Sequence, residues 1–151
     1  MTWTFRGTLI ALIAASACNP LPAQKKSQPL DQLIVTAQNA DERQPELYGK
    51  VVRQEVDDAR ADYSSGNAPA AESALNAAVT YSDKLLESAR QHRKHLKGTE
   101  LGLRETTRRL REVERELEFE QRPPAAAALE HLEQVDSELL KLELLAPKEQ
   151  K

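Results

Sequence analysis

Leu75, Ser82, Ala89, Leu96, Leu103, Leu110 and Leu117 recur every seven residues without a slip. No other feature limits this chain so strongly. A helix turns every 3.6 residues, so a sustained seven-residue repeat implies helices wrapped with a left-handed twist. Ala78, Leu85 and Val113 partly fill the companion stripe. The pattern predicts an all-α fold: an elongated antiparallel helical bundle or coiled coil built on one long central helix, residues 68–122. Such a helix would be about 80 Å long, at roughly 1.5 Å per residue. Gly98 and Gly102 oppose it, each by about 1 kcal/mol relative to alanine. The leucine phase runs across both glycines, which favours continuity; a break there would give a shorter, thicker bundle.

The flanking segments supply the partners. Tyr48, Val52, Val56, Ala59 and Tyr63 step by three and four residues, one face of a helix over 45–64. Pro45 suits its first turn, where the missing N–H is tolerated. Ser64-Ser65-Gly66-Asn67 is a stop, and Asn67 can cap the next helix. Pro123-Pro124 is read as the end of the long helix, because the residue before a proline avoids the helical region. Ala128, Leu132, Val135, Leu139, Leu142 and Ala146 then mark a helix over 125–145. Short turns force antiparallel neighbours. Val56 should lie near Leu75, Val52 near Val79, Val135 near Leu110 and Leu142 near Leu103. The middle of the long helix, about 87–100, is left least covered, and the helically spaced Leu30, Leu33, Ile34 and Ala37 are one candidate to cover it.

The N-terminus carries a different signal. Arg6 precedes the apolar run Thr8 to Ala14, then the small residues Ala15-Ser16-Ala17, then Cys18. This is the order of a secretory signal peptide, with an apolar run too short to span a bilayer. Residues 15–18 resemble the processing site of bacterial lipoprotein precursors. Ser16, Ala17 and Cys18 match that pattern; Ala15 stands where leucine is usual. The resemblance covers about the first twenty residues and implies removal of residues 1–17 and acylation of Cys18. Two or three acyl chains anchor stably where one binds only marginally. Ala15-Ser16-Ala17 also fits an ordinary A-x-A cleavage site, which would release a protein with a bare thiol. Asn19, rather than aspartate, implies by the same resemblance an outer-membrane rather than inner-membrane destination, with the chain facing the periplasm. Pro20, Pro22 and Pro29, among Gln and Lys, read as a tether, so residues 18–40 form the lipidated N-terminus and linker, 41–146 the bundle and 147–151 a charged tail.

Composition narrows the function. The 24 acidic residues outnumber the 21 Lys and Arg, a balance unsuited to nucleic acid. Beyond the signal, Tyr48, Tyr63, Tyr81 and Phe119 are the only aromatics, too few for a large aromatic-lined pocket. With one cysteine, no intrachain disulfide forms, and stability must come from helix packing. No Gly-rich phosphate loop or serine elbow is present, so no enzyme and no cofactor are expected. His92 and His95 could share a helix face, but a metal site needs three or four ligands and the flanking cations oppose one.

Arg90, Arg93, Lys94 and Lys97 form a basic stretch with no obvious acidic partner, a candidate contact for an anionic lipid, glycan or protein. The later Arg104, Arg108 and Arg111 have candidate internal partners in Glu133, Asp136, Glu138 and Glu143. Ala59, Gly66, Ala71, Leu75 and Ala78 resemble part of a tetratricopeptide repeat, without its closing proline or a second copy. The leading expectation is a lipid-anchored helical protein acting through a protein partner or self-association. The rival is a lipoprotein that binds an anionic envelope ligand through residues 90–97.

Overall fold

The computed structural model describes residues 29–145. The signal, Cys18, the linker as far as residue 28 and the charged tail lie outside them. The described chain folds into α1 (Leu30–Asn39), α2 (Gln44–Ser64), α3 (Ala68–Gln91), α4 (Leu96–Glu116) and α5 (Arg122–Leu144). The all-α bundle predicted from the repeat is the fold.

The long central helix is not. It is divided into α3 and α4 by the turn 92–95. His92 adopts an extended backbone, and His95 takes the left-handed conformation with φ 61°. The break avoids the glycines, since Gly98 and Gly102 both lie within α4. It falls instead where like charges would stack at i,i+4 in a continuous helix, Arg90 on Lys94 and Arg93 on Lys97, which is unfavourable. Folding back also lets each half bury its stripe among more neighbours than one straight rod would find. The seven-residue seam survives the turn: Leu75, Ser82, Ala89, Leu96, Leu103, Leu110 and Leu117 are all buried.

A second correction concerns the prolines. α4 stops at Glu116, where Leu117 turns extended, and Pro123-Pro124 sit in the first turn of α5. The first turn has N–H groups with no helical partner, so proline fits there without cost. Elsewhere the expected punctuation holds. Gly66 takes φ 79° after α2, and the Asn67 side chain accepts from the Ala70 N–H at 3.4 Å.

Four helices form a square in the order α2, α3, α5, α4, and α1 packs on α2. The hairpins α2–α3 and α4–α5 are antiparallel, as expected. The Tyr48 and Tyr81 rings stack at 6.2 Å in the first. Arg104 faces Asp136 and Arg111 faces Glu133 in the second. Between hairpins the neighbours run parallel: Asp57 meets Arg109 across α2 and α4, and Asp83 meets His131 across α3 and α5. α3 and α4 thus face each other across the diagonal, and the turn 92–95 crosses the end of the bundle. α1 buries Leu33 and Ala37 against α2, so the folded body begins at residue 30, within the segment assigned to the tether.

Candidate interaction surfaces

The basic stretch does not form one helical face. Arg90 ends α3, Arg93 and Lys94 lie in the turn, and Lys97 begins α4, all exposed. Acidic partners come from the α1–α2 link. Lys94 Nζ donates to Glu42 at 2.6 Å, and this bond holds the Glu42 carboxyl below its ordinary range. His92 Nε2 lies 3.5 Å from Asp41. The α1–α2 link therefore helps cover the turn, while α1 itself packs on α2. An anion arriving at residues 90–97 competes with Glu42 and Asp41.

The histidines of that stretch are separated by the turn. His131, the third, pairs with Asp83 at 2.9 Å on the far hairpin. Among the described residues, no three His, Cys, Asp or Glu side chains group closely enough to hold a metal.

The later arginines find internal partners, partly as expected. Arg111 bonds Glu133, and Arg104 lies 3.7 Å from Asp136. Arg108 instead bonds Glu105 of its own helix. Arg104 also bonds Glu100, a buried carboxyl the sequence reading did not single out. Burial pushes the Glu100 carboxyl upward, against the pull of Arg104. Burial likewise raises Asp136, whose Oδ1 lacks a hydrogen-bond partner.

Two surfaces were not anticipated. The outer face of α4–α5 carries Leu101, 50% exposed, and Leu140 and Leu144, 37% and 76% exposed. Leu101 borders a depression shared with Asp136 and Ser137. Leu140 follows one turn later on the same side of α5, and Leu144 one turn beyond it. The signal was present as leucines lying off the seven-residue seam.

The second surface is a groove of about 400 Å³ between α2 and α4, bordered by Gly49, Lys50, Arg53, His95, Gly98 and Gly102. A Cβ added at Gly98 or Gly102 would meet nothing within 4 Å. Packing within the chain therefore does not require either glycine. Gly98→Ala and Gly102→Ala should each stabilise the fold by about 0.5–1 kcal/mol through helix propensity. Thermal unfolding would register each as a rise of a few degrees in Tm, roughly the scale for a domain of this size.

No family model, curated protein or solved structure compared with the chain matches it. Among the described residues, no helix is long and apolar enough to cross a membrane.

Proposed function

We propose that this chain is a lipid-anchored protein of the bacterial cell envelope, facing the periplasm, that works as a helical interaction module. Cys18 is the anchoring residue in this reading. The bundle is held off the membrane by the short linker before α1, and it acts by docking rather than by catalysis. The docking part rests on one observation, the exposed leucines of the α4–α5 outer face. Hydrophobic side chains left in water favour association, at about 25 cal/mol for each Å² of apolar surface removed from it. Grouped large apolar residues on a folded surface mark interaction sites more often than single ones do. The complementary partner is an envelope protein presenting an apolar helix face.

Two measurements test the two halves. Intact mass of the mature N-terminus should show residues 1–17 gone and acyl mass on Cys18; a bare thiol refutes the anchor. A photo-crosslinker at Leu140 in intact cells should give a discrete adduct. Leu101→Glu with Leu144→Glu should reduce that adduct about tenfold or more, since each lost 1.4 kcal/mol is tenfold in affinity. Helicity should be unchanged. An undiminished adduct would remove the leucine face as the docking site. Salt separates this reading from the anion-binding one: apolar docking persists at high salt, whereas capture by residues 90–97 weakens.

A further inference from the structure

The turn 92–95 interrupts a pattern that does not itself stop. Ala89 and Leu96 stand seven residues apart on either side of it, and both are buried. If the turn straightened, α3 and α4 would join into one helix with every seam residue still on one face. The turn is also under load. His95 is the one non-glycine residue with positive φ among the described residues, a conformation costing roughly 1–2 kcal/mol for a residue with a Cβ. It must cross the bundle diagonal, about 14 Å for helices packed 10 Å apart. Only four residues join α3 to α4, and one of them, His95, is held in the left-handed conformation rather than extended. A short, strained link between two hairpins is the arrangement that favours exchange between copies.

We propose that the chain dimerises by exchanging hairpins. In each copy residues 68–116 become a single helix of about 75 Å. The α2–α3 hairpin of one copy then packs on the α4–α5 hairpin of the other. The two long helices run antiparallel and cross at residues 92–95. Because α3 and α4 already face each other across the diagonal, their seams meet in the dimer as they do in one chain. The pairs Asp57–Arg109 and Asp83–His131, which join the hairpins, re-form between copies. The second copy is the fitting partner because the interface it offers is the one already present. The cations at i,i+4 across the junction oppose the straight helix, and salt weakens that repulsion. This inference uses none of the leucines of the α4–α5 outer face, so either can fail without the other.

His95 gives opposite predictions for two small substitutions. His95→Gly relieves the left-handed turn and weakens the straight helix; His95→Ala strains the turn and favours the helix. Sedimentation equilibrium of the full chain, in density-matched nonionic detergent, should show dimer for His95→Ala and monomer for His95→Gly. Their dimerisation constants should differ by about 100-fold or more, with wild type between them and shifted toward dimer by salt. A Gly-Ser-Gly insertion after Arg93 should also give monomer. Energy transfer between dyes on noncanonical residues at 76 and 112, with unlabelled chain in excess, identifies the route. Exchange places the two positions about 54 Å apart along one helix; the folded-back monomer holds them within a bundle's width. Equal masses for the two His95 variants would overturn the proposal. So would dimers whose two labels remain close, since those would be side-by-side pairs.

Discussion

Replacing Arg104 by alanine should cost about 2–3 kcal/mol at pH 8 and much less at pH 5. Arg104 bonds the Glu100 carboxylate, which is only 2% exposed, and lies 3.7 Å from Asp136. Breaking a buried ion pair from one side costs about 3–5 kcal/mol, because the remaining charge stays buried without compensation. Water reaches the half-exposed Arg104 side chain, which lowers that figure. The pH dependence follows from the remaining acids. Burial already raises the Glu100 carboxyl, Asp136 raises it further, and Arg104 alone pulls it back. Without the guanidinium the folded state holds a proton that the unfolded state releases, so stability falls as pH rises. As pH falls toward the ordinary carboxylate range the proton is taken up in both states, and only lost packing remains. Denaturant melts at the two pH values check this. Arg104→Lys should recover part of the loss, and Glu100→Gln in the Arg104→Ala background should flatten the pH dependence. A loss equal at both pH values would mean that Arg104 contributes packing rather than charge.

Glu55→Gln should make the protein more stable than wild type at pH 8, by about 1–2 kcal/mol, and leave it nearly unchanged at pH 4. Glu55 is buried in α2, and burial, with the Asp58 carboxylate nearby, pushes its carboxyl up to about 7. A folded-state value above the ordinary 4.5 means that folding takes up a proton. Stability on this account is full below about pH 4.5, falls as pH rises toward 7, and is flat above. At 1.36 kcal/mol per unit the whole shift would exceed 3 kcal/mol, and partial access of water halves it or more. Glutamine keeps the shape and removes the titration. Melting temperatures across pH 4 to 8 should converge at the acid end and separate at the basic end. Parallel curves would show that Glu55 does not titrate between the two states.

The repeat carried most of the architecture. Its seven seam residues, the α2–α3 stop at Gly66-Asn67 and the antiparallel hairpins were all legible in local pattern. The break at 92–95 was not, because a straight helix and a folded-back one bury the same seam residues. The phase of a repeat cannot distinguish them; the clustered cations could have. Glu55 escaped notice because α2 was read as having one partner. It lies against α1, α3 and α4, so its buried face is wider than a single stripe and includes Leu47, Val51 and Glu55. The exposed leucines escaped for the opposite reason. Leu101, Leu140 and Leu144 have no role in the seam, and an apolar residue off the seam does not reveal what it meets.

The square order of the helices also sets how the chain assembles. Each hairpin joins helices a few residues apart in sequence, so its contacts close quickly. The pairs that join hairpins, Asp57–Arg109 and Asp83–His131, span 52 and 48 residues. Closing longer loops costs more entropy and comes later. Docking the two hairpins therefore closes the longest loops of the fold. As the chain emerges from its N-terminus, the hairpin made first is α2–α3, and it waits, with its stripe uncovered, for α4 and α5 to arrive.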